Sequence, residues 1–107
     1  MQNRDFSFIQ EIMPHFSDVS REVLFGDIWE RPGLSKRDRS LITVAALAAL
    51  YRNELSGHVM LALDNGVTKE ELGEVFLHLA FYGGFPVAVN GARVTKQVLD
   101  QRKSKAQ

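Results

Sequence analysis

The sequence contains no cysteine. This absence excludes disulfides, thiolate metal sites, iron–sulfur clusters and enzymes that use a thiol as nucleophile or peroxide-reducing group. The chain also has no excess of charge, because 13 Lys and Arg residues balance 13 Asp and Glu residues. A nucleic-acid-binding surface normally needs surplus cations to displace counterions, so we expect no nucleic-acid partner.

Long hydrophobic runs are missing as well. The longest apolar stretch covers residues 41–51 and is interrupted by Thr43. As a helix it would rise roughly 16 Å, about half of a bilayer core. The first ten residues are polar and include Asp5, unlike a secretory signal. We therefore expect no membrane partner and a cytoplasmic location, which also fits the absence of cysteine.

The length and composition are those of one globular domain. The chain has 107 residues, of which 45% are hydrophobic and 24% are charged. A chain of this size can bury one hydrophobic core without disulfides or metals. We therefore predict a single domain over residues 1–107.

The spacing of apolar residues predicts helices throughout. Pro14 and the segment His15-Phe16-Ser17-Asp18 interrupt the first pattern, and Ser17 is predicted to cap a helix that ends before Pro32. That helix would carry apolar residues at three- and four-residue spacings: Val19, Val23, Leu24, Ile28 and Trp29. Ser35 and Asp38 resemble a capping box for a second helix, which runs to about residue 51.

Three further helices follow. One covers about residues 54–64 and is stopped by Asn65-Gly66. Thr68 and Glu71 form a capping box for the next, whose apolar face carries Leu72, Val75, Phe76, Leu79 and Ala80. The last runs from near Pro86 to about residue 101, and the polar end, 101–107, is expected to fray. Since no segment alternates as a strand does, the predicted fold is all-α with five or six helices.

The helix over residues 41–50 has almost no polar face. Such a helix belongs at the centre of a core or in a subunit interface, and a domain this small favours some of both. We therefore predict a homo-oligomer, either a trimer or a hexamer.

Glu54 and His58 are the leading candidates for chemistry. They are four residues apart on one predicted helix and therefore share a face. A carboxylate beside an imidazole raises its proton affinity and fixes its orientation, which makes a general acid–base pair. The alternative is a surface pair that adds only a few tenths of a kcal/mol to helix stability.

The other two histidines have structural interpretations. His78 stands among apolar neighbours and can be a hydrogen-bonded core histidine. His15 is expected in an exposed turn beside Pro14. A metal site built from Glu54, His58 and His78 would need two helices to aim at one point, and no recognised ligand spacing supports it. We therefore predict no metal.

Arginines and aromatic residues supply candidate binding groups. Arg31, Arg37, Arg39 and Arg52 lie near predicted helix ends, where a guanidinium can bind a carboxylate in two-point fashion, or simply form solvated charge pairs. Four aromatic residues can line a small pocket or belong to the core: Trp29, Phe81, Tyr82 and Phe85.

Taken together, residues 25–88 resemble the carboxymuconolactone decarboxylase family. The matching features, in the family's order and spacing, are an alanine-rich apolar helix, Glu54-x-x-x-His58, the segment NGVTKEEL, and His78-x-x-x-Tyr82-x-Gly84-x-Pro86. The resemblance implies an all-helical, alkylhydroperoxidase D-like fold, oligomeric assembly and no cofactor. Tyr51 and Glu54 occupy the positions of the two cysteines in the related thiol peroxidases, so peroxidase activity is excluded.

The founding activity of that family converts γ-carboxymuconolactone to β-ketoadipate enol-lactone and CO2 in protocatechuate breakdown. The resemblance supports Glu54 and His58 as site residues. The reaction needs a proton donor, a carboxylate ligand and donors to the oxyanion, and our candidates are His58 supported by Glu54, Arg31 or Arg39, and His78 with Tyr82, while Trp29 is a candidate for the pocket wall. Two alternatives remain: a family member acting on another small acid or lactone, and a non-catalytic helical oligomer.

Overall fold

The computed structural model describes residues 7–106, and every regular element in that range is helical. The six α-helices of the described range confirm the all-α prediction. The prediction that the first ten residues are not a secretory signal concerns mainly residues 1–6, which lie outside the described residues, as does Gln107. None of the described helices has both the length and the apolar character needed to cross a bilayer.

The chain groups into two compact units, Met1–Lys36 and Arg37–Gln107. The assignment of the whole chain to one domain stays a prediction. In the first unit, α1 (Ser7–Ile12) and α2 (Pro14–Val19) are followed by a π-helical turn, Ser20–Phe25, and a 3-10 turn, Ile28–Glu30. Trp29, in the 3-10 turn, is 8% exposed.

The predicted start of the first long helix is wrong. Pro14 occupies the first turn of α2 and Ser17 lies inside it, so neither Ser17 nor its neighbours break the helix. Proline is tolerated there because the first N–H groups of a helix have no internal acceptor. His15 is consequently an exposed helical residue rather than a turn residue.

The second unit is built on four helices: α3 (Lys36–Ala49), α4 (Leu55–Asp64), α5 (Lys69–Leu79) and α6 (Phe85–Ala106). Their order and approximate starts agree with the sequence. The predicted end of the last helix at about residue 101 is wrong, because α6 continues to Ala106, while the fraying of the polar end stays a prediction. Arg102 in this extension donates to a carboxylate oxygen of Asp64 at 3.1 Å.

Local hydrogen bonds explain where these helices begin and end. The Thr68 side chain accepts from the Glu71 N–H at 3.1 Å, and Glu71 accepts from the Thr68 N–H at 2.9 Å, which confirms the capping box. Gly66, at φ +97°, ends α4 in the left-handed conformation, as predicted. Tyr51 adopts the same conformation after α3, at φ 55°.

The core of the second unit draws on all four helices. Its buried side chains are Val44, Ala48, Leu55, Val59, Ala62, Val67, Leu72, Phe76, Val87 and Val98. One side of α3 enters this core, while Ile42 on the same helix and Leu50, which directly follows it, are 56% and 60% exposed. Thus α3 is only partly covered within one chain.

Two close contacts fix the helices of this unit. The side-chain amide of Asn65 donates to the hydroxyl of buried Ser40 at 2.9 Å and links the end of α4 to α3. Gly91 of α6 lies against the Phe76 ring, and a Cβ placed at Gly91 would be 2.4 Å from that ring. The absence of a side chain at Gly91 therefore lets α5 and α6 approach closely.

Candidate active site

The Glu54–His58 segment begins α4. The N–H of Leu55 donates to the Arg52 carbonyl at 3.2 Å, and buried Leu55 anchors the first turn in the core. Glu54 is the N-cap residue, but its side chain does not cap the helix. Its carboxylate is exposed and remains available for other contacts.

His58 lies one turn further along α4. Its main-chain N–H donates to the Glu54 carbonyl at 3.2 Å, so the two residues share a helix face, as predicted. The His58 side chain is half-buried, and its Nδ1 atom is shielded from water. A partly enclosed imidazole one turn from an exposed carboxylate is a workable arrangement for proton transfer. The catalytic assignment itself stays a prediction.

His78 and Tyr82 meet at the end of α5. Their ring centroids are 4.9 Å apart, with the planes inclined by 31°. The Tyr82 N–H donates to the Leu79 carbonyl at 3.1 Å, and Gly84 at φ +103° then turns the chain into α6. The interpretation of His78 as a core histidine is wrong, because its side chain is exposed.

An open groove of about 600 Å³ lies against α3 and α5. Its walls are apolar: Leu41, Ala45, Val75, Leu77, Leu79 and Phe81. Glu74 and His78 supply the ionisable groups of its lining. Sequence reasoning missed Glu74, although Glu74-x-x-x-His78 repeats the spacing of Glu54-x-x-x-His58.

The four arginines considered from the sequence have different surroundings. Arg37 pairs with Glu71 and lies 3.8 Å from Asp38, so it joins α3 to the capping box of α5. The Thr68 N–H and then the Arg37 guanidinium hold the pKa of Glu71 below its usual range. Arg39 is half-buried, with a buried Nε atom, whereas Arg31 and Arg52 are exposed.

The remaining candidates divide between the two units. Trp29 and Arg31 belong to the first unit, where Trp29 stacks on Phe25 with ring centroids 6.2 Å apart. Phe81 and Phe85 belong to the second, and their exposed rings meet edge to face at 6.0 Å. The core interpretation of Phe81, Tyr82 and Phe85 is therefore wrong, while Trp29 is buried.

A metal site receives no support from the placement of potential ligands. Among residues 7–106, no three His, Asp or Glu side chains are grouped closely enough to hold an ion. The Glu54, His58 and His78 combination considered from the sequence is therefore not assembled as a ligand set in the described part of the chain.

Comparison with known proteins adds independent information. Residues 14–97 match the model of the carboxymuconolactone decarboxylase family, a longer match than the residues 25–88 singled out from the motifs. The chain is 36% identical, over 90% of its length and 72% of the relative, to a 4-carboxymuconolactone decarboxylase of Acinetobacter baylyi.

Two further relatives are more distant. A nitrosuccinic acid decarboxylase of Metarhizium robertsii is 34% identical over 84% of this chain, which spans 64% of that relative's length. An uncharacterized 15.0 kDa protein of Paracoccus denitrificans is 27% identical over 92% of this chain and 75% of its own length.

Proposed function

Because the chain belongs to the carboxymuconolactone decarboxylase family, we propose that it is a cofactor-free decarboxylase of a small carboxylated lactone, with γ-carboxymuconolactone as its substrate. The observation that carries this proposal is the 36% identity to a protein named for that reaction, over 90% of the chain. The expected product is β-ketoadipate enol-lactone, formed in protocatechuate breakdown.

The substrate itself makes a cofactor unnecessary. When the carbon–carbon bond to the departing carboxylate breaks, its electron pair flows through the ring double bond to the lactone carbonyl. CO2 leaves and an extended enolate remains, which takes up one proton at carbon. The protein must therefore bind the second carboxylate, stabilise the oxyanion and return the proton.

His58 is assigned the proton transfer and Glu54 the support of its imidazole. The half-buried position of His58 supports this assignment, because partial enclosure restricts the contact of its imidazole with bulk water. Glu54 is assigned as the supporting group because its carboxylate does not cap α4 and can therefore face the imidazole. The charge of Glu54 stabilises the protonated imidazole before transfer.

The other roles follow from donor chemistry. His78 and Tyr82, whose rings are in contact, are assigned as hydrogen-bond donors to the developing oxyanion. Arg39 or Arg31 binds the carboxylate that is retained. Arg39 is preferred because it shares a compact unit with His58 and its partly buried guanidinium binds an anion more strongly than an exposed one. Trp29 is assigned to the pocket wall.

A second substrate class is supported by the Metarhizium relative. Nitrosuccinic acid, after which that relative is named, carries a nitro group that can accept the electron pair left by a departing carboxylate. The same protein groups would serve either substrate, since both reactions release CO2 and require one proton. This chain is 34% identical to that relative, almost as similar as it is to the lactone decarboxylase.

The experiment that tests the proposal compares the two substrates directly. Purified protein is given γ-carboxymuconolactone or nitrosuccinate, and substrate loss and CO2 release are followed together. A value of kcat/KM at least about tenfold higher for the lactone, equivalent to 1.4 kcal/mol, supports the proposal. A higher kcat/KM for nitrosuccinate would make nitrosuccinate the proposed substrate instead. If neither compound is turned over, the proposed decarboxylation of the lactone is contradicted.

A further inference from the structure

The carboxylate of Glu74 has no structural task of its own. Its neighbour on α5, Glu71, is committed to Thr68 and to Arg37. Glu74 forms no hydrogen bond or ion pair with the described residues, yet it lines the groove that also contains His78. Glu74 is exposed, so its charge stays in contact with water and its carboxylate is free to accept a hydrogen bond from a neighbouring group in the groove.

His78 is the polar group within reach. It follows Glu74 by four residues on α5, a spacing that stacks two side chains on one helix face with about 5–6 Å between their Cβ atoms. The residues of α3 that line the groove, Leu41 and Ala45, are apolar and offer no competing partner. Glu74 is thus the one carboxylate among the groove-lining residues.

We propose that Glu74 is a positioning residue that acts through His78. In the substrate complex, the Glu74 carboxylate accepts a hydrogen bond from one ring nitrogen of His78, and this contact sets the orientation of the imidazole. The other ring nitrogen then donates to the oxyanion of the substrate beside Tyr82. Such contacts are often longer in a free enzyme and shorten in the substrate complex. The inference rests on the proposed function, in which His78 is an oxyanion donor.

The kinetic test uses Glu74→Gln with Glu70→Gln as its matched control. Both substitutions remove one exposed negative charge from α5, but Glu70 does not line the groove. With γ-carboxymuconolactone, Glu74→Gln should lower kcat about threefold to tenfold, the effect of losing one modest hydrogen bond, and leave KM within about twofold. Glu70→Gln should change neither value.

A double-mutant cycle tests whether Glu74 acts through His78. In protein that already carries His78→Gln, adding Glu74→Gln should have no further effect on kcat, because the group it orients is gone. An unchanged kcat for Glu74→Gln in the wild-type background overturns the proposal. So does an equal loss in both backgrounds, which would show that Glu74 acts independently of His78.

Nitrogen NMR of the imidazole supplies a readout that needs no turnover. The ring-nitrogen signals of His78 are assigned by their loss in His78→Gln. Glu74→Gln should shift these signals even in the free protein, because it removes a negative charge one helical turn from the ring, while Glu70→Gln, two turns away, should leave them in place. If γ-carboxymuconolactone is not a substrate, the proposed function fails, but comparing the His78 spectra of Glu74→Gln and Glu70→Gln still tests whether Glu74 acts on His78. Identical His78 spectra in wild type and Glu74→Gln overturn the positioning role.

Discussion

His58 combines partial burial with a carboxylate one helical turn away. Its Nδ1 atom is shielded from water, while Glu54 remains exposed at the N-cap of α4. An ordinary surface pair at this spacing would add only a few tenths of a kcal/mol to helix stability. If the pair is catalytic, removing the imidazole lowers turnover; if it is an ordinary surface pair, turnover stays the same. Neither interpretation predicts a large effect on folding.

His58→Ala should remove most of the activity and leave the fold intact. A general acid contributes about 10²–10⁴-fold in rate, or roughly 3–5 kcal/mol of barrier. Glu54→Gln should cost less, because it removes the supporting charge but keeps the imidazole. His15→Ala is the matched control, since His15 is an exposed helical histidine outside the candidate site.

Turnover of γ-carboxymuconolactone and the far-ultraviolet circular dichroism of each variant are the measurements. If folded His58→Ala keeps turnover within about threefold of wild type, the acid–base role is wrong and His78 becomes the candidate. A loss of equal size in His15→Ala would show that the effect is not specific to the site.

The residue types of the site were easier to predict than their surroundings. Glu54 and His58 were found because their spacing puts them on one helix face, which is a local property of the chain. The core interpretation of His78 is wrong although the residues around it in the sequence, including Leu77 and Phe81, are apolar. Both are exposed, and which apolar residues stay uncovered depends on tertiary packing that a single sequence does not specify.

At the scale of whole elements, the contact of α5 with α6 depends on Gly91. A Cβ at this position would lie 2.4 Å from the ring of Phe76, which is itself buried in the core. Because Phe76 is enclosed, the ring cannot move aside without disturbing its neighbours. In contrast, Gly73 on α5 has open space around its Cβ position.

Gly91→Ala should lower the free energy of unfolding by about 1–2 kcal/mol, since overpacking outweighs the gain in helix propensity. Gly73→Ala should raise it by up to about 1 kcal/mol, because it gains propensity without a clash. Urea unfolding of both variants measures the difference. Equal stabilisation by the two substitutions would mean that the helices are not in close contact at Gly91.

The capping box of α5 makes stability depend on pH. The Thr68 N–H and the Arg37 guanidinium lower the pKa of Glu71 in the folded state. A carboxyl with a depressed folded-state pKa adds stability above its unfolded-state pKa of about 4.3, and this contribution is lost as the pH falls through the folded-state value. The ionised form is therefore the one that favours folding.

Glu71→Gln should destabilise the protein at pH 6–7 (roughly two units above the unfolded-state pKa) and have a diminishing effect as the pH falls below about 4. Glutamine can still accept from the Thr68 N–H, so the substitution chiefly removes the charge that faces Arg37. Urea unfolding over this pH range, with Glu70→Gln as control, measures the effect. A destabilisation that is the same at every pH would contradict it.

Helix ends set by local hydrogen bonds were predictable, whereas those set by tertiary contacts were not. The Thr68 cap and the Gly66 stop depend on neighbours within a few residues, and both are as predicted. The extension of α6 was missed because its last turns look solvated and polar, yet Arg102 pairs with Asp64 of α4. The helical pattern does break before Pro14, as predicted, but the interior position of Ser17 was missed because Pro14 itself starts α2.

At the scale of the whole molecule, the main feature is the number of large apolar side chains that a single chain leaves exposed. Large hydrophobic side chains stay exposed in both units, including Phe8, Phe16, Ile42, Leu50, Phe81 and Phe85. Large exposed apolar patches mark protein–protein interfaces in soluble proteins. The trimer or hexamer expected from the apolar character of α3 stays a prediction.

Sedimentation velocity at micromolar concentration should show a trimer or a hexamer rather than a 12.0 kDa monomer. Ile42→Glu should shift the distribution toward smaller species, because it places a charge on the exposed apolar side of α3. Gln97→Glu adds the same charge at an exposed polar position of α6 and should not. A wild-type monomer would contradict the assembly.

The most direct test of the central claim is CO2 release from γ-carboxymuconolactone by protein dialysed against a chelator, with no cofactor added. The account predicts one CO2 for each substrate consumed, at the rate of the undialysed protein, because the lactone supplies its own electron sink and the protein supplies the proton. The absence of CO2, or release that dialysis abolishes and an added metal restores, would contradict it.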